Sequence, residues 1–501
     1  MTSAHLTLDP AFRTGTVDRR LFGSFVEHMG RSVYTGVYEP DHPSADEDGL
    51  RTDVLDLVRE LGVTVVRYPG GNFVSNYRWE DGVGPRETRP SRLDLAWRSV
   101  ESNAFGLNEF MTWARKAGVE PMLALNLGTR GPAEAIDLLE YTNHPSGTTL
   151  SDLRRSHGAE QPHDVRMWCL GNELDGPWQM GHKNAHEYGR IAAETARAFK
   201  RFDPDLELVA CGSSNAYIDT FASWEATVLE HTYEFVDYIS LHAYYEPVGG
   251  DVDSFLASAA EMDQMISAVT ATADHVGAKL RSKKKIKLSF DEWNVWYQSR
   301  FAGETSLDWR PAPELIEDVY DVTDAVVVGS LLVTLLRHAD RVGAACQAQL
   351  ANVIAPVMTR PQGPAWRQTI FHPFAQTARH ARGTVLRVEP TSPVVETERY
   401  GEVPTLWATA THDEESGEVV LFAVHRGREE PLVLTADVRA FPGARVAEHL
   451  VLHDEDTTAV NSAEQPDRVR PRPLDGTKVD DGLLTFELPP VSWSMIRLST
   501  R

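Results

Sequence analysis

The chain has 501 residues, with 49 Lys and Arg against 73 Asp and Glu, and its formal net charge is −24. This length exceeds what one ordinary hydrophobic core holds, so the sequence predicts two domains. The acidic balance disfavours nucleic acid and anionic membranes as partners, because their phosphates would be repelled, and it suits a neutral ligand.

The cysteines and the N-terminal segment indicate the cellular compartment. Cys169, Cys211 and Cys346 lie in apolar runs, and their number and spacing fit neither a disulfide framework nor a zinc site. The first residues lack a basic segment followed by an apolar core, and no apolar run is long enough to span a membrane. We therefore expect a cytoplasmic protein with buried, reduced thiols.

From about residue 20 to 382, short apolar runs alternate with amphipathic segments, which predicts an α/β fold of the (β/α)8 TIM barrel type. The eight predicted strands are Leu21–Glu27, Val63–Tyr68, Met122–Leu127, Val165–Leu170, Leu206–Cys211, Val236–His242, Ile286–Phe290 and Ala344–Leu350. The predicted helices are Val54–Leu61, Leu107–Ala117, Ala185–Phe202, Phe221–Phe235, Phe255–Val276 and Val326–His338. A doubly wound open sheet is the alternative, but no Gly-rich phosphate fingerprint follows the first strand.

The pattern changes at Gly383, and residues 383–501 show alternating runs without helical periodicity. This predicts an all-β sandwich, jelly-roll-like in type. Its predicted strands are Leu406–Thr411, Val419–His425, Leu432–Val438, Val446–Leu452, Leu483–Leu488 and Ser492–Leu498. Residues 1–19 contain an alternating segment, His5–Leu8, and are expected to join this domain as an edge strand.

Two glutamates lie where the active site of such a barrel is expected, at the C-terminal ends of its strands. Glu173 follows the fourth predicted strand within Gly171-Asn172-Glu173, and Glu292 follows the seventh. Glycoside cleavage requires two carboxyl groups, one as proton donor and one as nucleophile or base.

The other predicted strand ends carry amides, carboxylates and aromatic rings, which suit a sugar ligand. They are Glu27, Asn72, Asn126, Asn172, His242, Tyr244, Tyr245, Trp293, Trp296, Gln349 and Asn352. Trp168 is expected to pack in the core. Glu101, Asp175 and Asp291 are expected to form ion pairs or caps.

In order and spacing, six segments resemble family 51 α-L-arabinofuranosidases of glycoside hydrolase clan A. They are Phe22–His28, Arg67–Phe73, Gly171–Gln179, Ser240–Tyr245, Asp291–Tyr297 and Gln349–Pro356. The resemblance covers the whole predicted barrel, whereas the C-terminal region matches only in position and type.

The resemblance implies a retaining, exo-acting enzyme that releases terminal arabinofuranosyl residues from arabino- or arabinoxylo-oligosaccharides without a cofactor or metal. It makes Glu173 the acid/base and Glu292 the nucleophile. The residues that it places around the substrate are Glu27, Asn72, Trp97, Asn172, Trp178, Tyr244, Trp296 and Gln349. It also implies a homohexamer. Retention predicts that the two carboxyl groups lie about 5–5.5 Å apart, against about 6.5–9.5 Å for inversion.

Three other functions are compatible with parts of the sequence. One is another clan A glycosidase, of the β-xylosidase or endoglucanase type, and a second is a non-catalytic carbohydrate-binding protein. The third is metal-dependent hydrolysis, since His182 and His186 are spaced i, i+4, but no HExxH motif is present. The acidic segment 298–321 is a candidate for shaping the side of the cleft that receives the leaving group.

Overall fold

The computed structural model describes residues 2–501, and its central element is a closed barrel of eight parallel strands. In chain order the barrel strands are Gly23–Phe25, Val65–Tyr68, Glu120–Ala124, Met167–Cys169, Glu207–Ala210, Tyr238–Tyr245, Lys287–Val295 and Val342–Gln347. We number them one to eight. Strand eight pairs with strand one, so the order around the barrel is the order along the chain. The predicted fold class is confirmed.

The barrel strands are nearly continuous runs of buried residues, as expected for a parallel sheet that is covered on both faces. Strands six and seven extend further than predicted. The prediction ended strand seven at Phe290, but pairing continues to Val295, so Glu292 lies within the strand and not after it. The apolar run stops at Phe290, whereas the backbone pairing does not.

Ten α-helices pack around the barrel and beside it. They are Thr52–Leu61, Leu107–Ala117, Pro132–Asn143, Thr149–Ser156, Ala185–Phe202, Ser223–Thr232, Val252–Leu256, Ala259–Lys279, Val322–Arg337 and Phe371–His380 among the residues described. The prediction missed Pro132–Asn143, Thr149–Ser156 and Phe371–His380. It also merged Val252–Leu256 with Ala259–Lys279, which are separate helices.

The helix Ala185–Phe202 shows why the stronger predictions succeeded. Asn184 caps it by accepting hydrogen bonds from the backbone N–H groups of His186 and Glu187. Its buried side chains, which recur at helical spacing, include Tyr188, Ala192, Ala196 and Phe199. No helix in residues 2–501 combines the length and the hydropathy needed to cross a bilayer.

The C-terminal region is a sandwich of two sheets. The seven-stranded sheet has the order Arg13–Thr16, Thr384–Leu386, Leu406–Asp413, Glu418–His425, Ser492–Ser499, Arg445–Leu452 and Arg472–Pro473. The four-stranded sheet has the order Thr2–Thr7, Leu432–Asp437, Leu483–Leu488 and Lys478–Asp480. The N-terminal strand therefore lies at a sheet edge. We retain as a proposal the division into domains at 20–382 and 383–501, with 1–19 joining the second.

The seven-stranded sheet is buried on both faces. Along the strand Ser492–Ser499, Trp493 and Met495 join the barrel core, whereas Ile496 and Leu498 join the core between the two sheets. The helix Val322–Arg337 lies against this sheet at Gly329, where a Cβ atom would come within 2.2 Å of the Trp493 ring. Only glycine permits this approach of helix to sheet.

Three two-stranded hairpins lie outside the barrel and the sandwich. They are Arg92–Asp94 with Ser99–Glu101, Val357–Thr359 with Ala365–Arg367, and Val394–Thr397 with Gly401–Pro404.

Candidate active site

Glu173 and Glu292 line one cavity of about 590 Å³ at the C-terminal end of the barrel. Glu173 lies in the turn after strand four, where Gly171 has a φ of +109° and Glu173 itself a φ of +44°. Glu292 lies in strand seven, in register with His242 of strand six. One carboxylate oxygen of Glu173 and one of Glu292 lie within 4.8 Å of each other. A distance below 4.8 Å between the nearest oxygens fits the shorter class of carboxyl separations and so supports retention.

Two donors hold the carboxylate of Glu292. Nη1 of Arg67 donates to its Oε1 at 2.6 Å, and the hydroxyl of Tyr244 donates to its Oε2 at 2.8 Å. Burial and the charge of Glu292 raise the pKa of Tyr244 well above its usual value, so the phenol keeps its proton and remains a donor. Both carboxylate oxygens of Glu292 are therefore hydrogen-bonded, one of them to a cation.

Glu173 has different partners. Its Oε1 lies 2.9 Å from Nδ1 of His242, and its Oε2 accepts a hydrogen bond of 2.9 Å from the indole N–H of Trp178. The side of Trp178 that does not contact Glu173 is open, and the residue is 50% exposed. Glu173 thus lies at the boundary between the buried site and the open part of the cavity.

His242 links the two glutamates to a third carboxylate. Its Nε2 lies 2.9 Å from Oδ1 of Asp291, and its Nδ1 also lies 3.7 Å from Oε2 of Glu292. Burial would lower the pKa of His242, but Glu292, Asp291 and Glu173 outweigh it and raise that pKa to about 10. The imidazole is therefore a cation at neutral pH and donates from both nitrogens. Burial opposes ionisation of Asp291, but Arg67 and His242 lower its pKa.

Glu27 forms the other end of the buried site. Its Oε1 accepts hydrogen bonds from the backbone N–H of Phe73 at 2.9 Å and the indole of Trp97 at 3.0 Å. Its Oε2 lies 3.2 Å from Nε2 of Gln349. Burial and the nearby charge of Glu292 nevertheless raise the pKa of Glu27 to about 8. Glu27 is thus mostly protonated at neutral pH.

Arg67 also orients Asn172. Its Nη2 donates to Oδ1 of Asn172 at 2.7 Å, so the Asn172 amide presents its Nδ2 donor towards Oδ1 of Asn72, 3.5 Å away. This geometry leaves both amides able to bind hydroxyl groups.

The structure brings most of the predicted site residues together. Those that line the cavity are Glu27, Asn72, Trp97, Glu173, Trp178, Tyr244, Glu292, Trp296 and Gln349. Asn172 lies directly behind them through its bonds to Arg67 and Asn72.

Other predicted strand-end residues lie elsewhere. Asn126 bonds within its own loop to Thr129, and Asn352 bonds to Thr359. Trp293 is fully buried, and so is Trp168, as predicted.

The three carboxylates that were expected to form ion pairs or caps are buried and hydrogen-bonded. Glu101 pairs with His28, Asp291 pairs with His242, and Asp175 accepts hydrogen bonds from the backbone and hydroxyl of Ser214.

Sequence reasoning missed the part that Arg67 plays and the contacts of His242. One signal for Arg67 was available, because an arginine inside the apolar run Val65–Tyr68 needs a buried partner. The segment 298–321 contributes Gln298, Phe301, Glu304 and Ile316 to the cavity lining, so it shapes the cleft beside Trp97.

His182 and His186 do not form a metal site in the described residues. Both are exposed, and Nδ1 of His186 lies 3.2 Å from Nε2 of His231. Among residues 2–501, the one group of three potential ligands that converge is Glu173, His242 and Glu292, which is the site described above. Cys169, Cys211 and Cys346 are buried free thiols.

Comparison with known proteins agrees with this geometry. Family models match as the α-L-arabinofuranosidase 1 domain over residues 57–265 and the α-L-arabinofuranosidase C-terminal domain over residues 291–492. An intracellular exo-α-(1→5)-L-arabinofuranosidase from Streptomyces lividans is 62% identical over 99% of this chain and 75% of its own length. One of the same description from Halalkalibacterium halodurans is 53% identical over 100% and 99%. The structure of a family 51 α-L-arabinofuranosidase from Bifidobacterium longum superposes with a TM-score of 0.95, with 48% identity over 99% of both chains.

The chain belongs to glycoside hydrolase family 51. The match extends over the sandwich as well as the barrel, so the C-terminal region is part of the family 51 architecture. The resemblance in sequence motifs covered this region only in position and type. The resemblance drawn from the six segments is confirmed.

Proposed function

We propose that this family 51 protein is a retaining, exo-acting α-L-arabinofuranosidase. Its substrates are terminal non-reducing α-L-arabinofuranosyl residues of arabino- or arabinoxylo-oligosaccharides. The observation that carries the proposal is the pair Glu173 and Glu292, within 4.8 Å of each other and held by different partners. Neither the β-xylosidase or endoglucanase alternative nor the binding-protein alternative matches the names of the full-length relatives.

In the first step Glu292 is the nucleophile. One of its oxygens forms a bond to C1 of the arabinofuranose, while the bond from C1 to the leaving oxygen breaks and Glu173 gives its proton to that oxygen. Arg67 and Tyr244 donate to the two oxygens of Glu292 and fix their direction. The products are an arabinosyl ester of Glu292 and a Glu173 carboxylate.

In the second step Glu173 is the base. Its carboxylate takes a proton from water, the water oxygen bonds to C1, and the bond between C1 and Glu292 breaks. His242 donates to the Glu173 carboxylate and so stabilises it between the two steps. Two displacements at C1 return the original anomeric configuration.

The remaining site residues bind the sugar. Protonated Glu27 donates to a ring hydroxyl, and Asn72, Asn172 and Gln349 supply amide contacts beside it. The indole of Trp97 forms a wall at the same end of the cavity. Trp178 and Trp296 contact the leaving group, since Trp178 lies next to Glu173 on the open side.

Two further properties follow from the names of the relatives. Their names include the α-(1→5) linkage and the word intracellular, so we extend both to this chain. We also keep the homohexamer as part of the proposal, to be measured by sedimentation or light scattering. An intracellular enzyme of this kind would act on imported oligosaccharides.

The proposal is tested by assaying nitrophenyl α-L-arabinofuranoside beside the corresponding β-xyloside, β-galactoside and cello-oligosaccharides. We expect turnover of the arabinofuranoside to dominate and to be insensitive to a chelator. NMR of the first-formed arabinose should show retention. No turnover of any arabinofuranoside would reject the function, and an inverted first product would reject the mechanism.

Variants distinguish the proposed roles of the two glutamates. Glu292→Ala should abolish turnover of every substrate. Glu173→Ala should slow poor leaving groups far more than nitrophenol, which leaves without a proton. Glu47→Ala is the matched control, because the side chain of Glu47 is 84% exposed and outside the cavity. If Glu292→Ala retained activity, the nucleophile would be a different residue.

A further inference from the structure

We propose that Tyr217, Glu261 and Arg399, here named the distal cluster, form a second leaving-group subsite that binds the second sugar beyond the cleaved bond. The proposal rests on the proposed function and adds a specificity determinant to it. All three residues line the same cavity as Glu173 and Glu292.

Arg399 reaches the cavity from the C-terminal region of the chain. It lies in the turn of the hairpin formed by Val394–Thr397 and Gly401–Pro404. This hairpin rests on the short helix Val252–Leu256, where the backbone N–H of Arg399 donates to Oγ of Ser254 at 3.1 Å. The cleft is therefore not built by the barrel alone.

Some hydrogen-bond donors and acceptors of the distal cluster remain available to a ligand. Oε2 of Glu261 accepts from Tyr217 at 2.5 Å, Tyr400 at 2.8 Å and Arg399 at 3.3 Å. Within residues 2–501, no donor is bonded to Oε1 of Glu261, and the Nε and Nη1 groups of Arg399 donate to no side chain or carbonyl. A carboxylate oxygen and arginine donors that are unused and lie side by side at the cavity lining suit the vicinal hydroxyls of a sugar.

Tyr217 supplies an apolar surface beside these polar groups. The residue is 64% exposed, although its hydroxyl is fixed by two hydrogen bonds to Glu261 and Arg399. The guanidinium of Arg399 lies 5.4 Å from the centre of its ring. An exposed aromatic ring that is held rigid loses little conformational entropy when a sugar face packs on it.

The position of the distal cluster in the barrel matches the direction in which the leaving group departs. Tyr217 follows strand five, and Ser214 of the same loop donates to Asp175, two residues after Glu173. Glu27 and Gln349 follow strands one and eight, on the opposite side of the ring of eight strands. The order across the cleft is therefore sugar pocket, cleavage point, Trp178 and distal cluster.

The test measures kcat/KM on nitrophenyl α-L-arabinofuranoside and on α-(1→5)-linked arabinobiose, arabinotriose and arabinotetraose. The first two substrates cannot reach a second leaving-group subsite. We expect the wild-type protein to prefer arabinotriose over arabinobiose by about tenfold, the effect of one or two added hydrogen bonds and a packed ring.

Tyr217→Ala and Arg399→Ala should reduce that preference to about onefold, while kcat/KM for the first two substrates changes less than about twofold. Tyr400→Phe is the matched control, because it removes a hydrogen bond to the same oxygen of Glu261 but Tyr400 does not line the cavity. It should keep the preference.

Three results would overturn the proposal. They are no preference for arabinotriose in the wild-type protein, an equal loss on all substrates in Tyr217→Ala, or loss of the preference in Tyr400→Phe. The last two would mean that the cluster only anchors the hairpin. Failure of the proposed function looks different, because nitrophenyl arabinofuranoside would then not be turned over at all.

Discussion

The proton on Glu27 predicts a pH-dependent cost to stability. The pKa of this carboxyl is about 8 in the folded protein against 4.5 for a free glutamate side chain, because burial and the charge of Glu292 disfavour ionisation. Because the folded-state pKa is the higher one, Glu27 adds no cost to the free energy of unfolding below pH 4.5. That free energy falls as the pH rises from 4.5 to about 8. The loss is about 1.4 kcal/mol per pH unit, and about 5 kcal/mol in total.

Glu27→Gln removes this cost while preserving the shape of the side chain. The stability of the variant relative to wild type should rise by about 3–4 kcal/mol between pH 5 and pH 8. The variant also places an amide donor against Nε2 of Gln349, where the Oε2 of Glu27 lies at 3.2 Å. The stability lost through this unfavourable contact is the same at every pH. It therefore shifts the difference in stability between variant and wild type without changing how that difference depends on pH.

Urea unfolding followed by circular dichroism at pH 5, 6.5 and 8 measures the slope. Glu80→Gln is the control of opposite sign, because burial would raise the pKa of Glu80 but its ion pair with Arg130 lowers it. Its stabilising effect is present above pH 4.5 and is lost in acid, so its difference from wild type should be flat over the same range. A difference for Glu27→Gln that does not change from pH 5 to pH 8 would refute the reasoning.

Two further predictions concern the centre of the site. A Cβ atom at Gly71 would lie 3.1 Å from Oε1 of Glu292 and 3.2 Å from Oε2 of Glu27. Gly71→Ala should therefore lower kcat/KM at least about tenfold with little change in Tm. Unchanged kinetics would contradict the close approach. His242→Gln removes a cation 2.9 Å from Glu173. The kcat should therefore fall, and the alkaline limb of the profile of kcat/KM against pH should move to higher pH. An unmoved limb would mean that His242 is neutral in the wild-type protein.

The barrel was predictable because its signal is local. Each barrel strand is a short buried run, and the residues after such runs meet at one end of any closed parallel barrel. Helices were predicted where apolar side chains repeat at helical spacing. Pro132–Asn143 was missed because two of its four buried positions at helical spacing are Ala135 and Thr142, which are only weakly apolar.

The charges that control the two glutamates were not predictable in the same way. Arg67 contacts Glu292 across strands that are 225 residues apart in sequence, and His242 contacts Glu173 across 69 residues. A local sequence pattern does not reveal contacts between residues that lie so far apart in the chain. The sequence therefore identified the two carboxyl groups from their position after strands. Only the folded barrel shows that Arg67 contacts Glu292 and that His242 contacts Glu173.

The arrangement keeps the charge of the site constant through the proposed reaction. At the start Arg67 and His242 are positive and Asp291 is negative. The proposed mechanism requires a carboxylate at Glu292 and a proton on Glu173. In the arabinosyl intermediate Glu292 is an ester and Glu173 holds the negative charge, so the total is unchanged. Nδ1 of His242 lies 2.9 Å from Glu173 and 3.7 Å from Glu292, close enough to balance the charge at either place.

An ionised Glu27 would upset this balance by adding a third negative charge beside the nucleophile. Below pH 8 burial keeps the Glu27 proton in place, so the group can donate to a sugar hydroxyl without repelling the charge on Glu292. The same burial that lowers the stability of the folded protein therefore holds Glu27 in the form that the proposed chemistry needs.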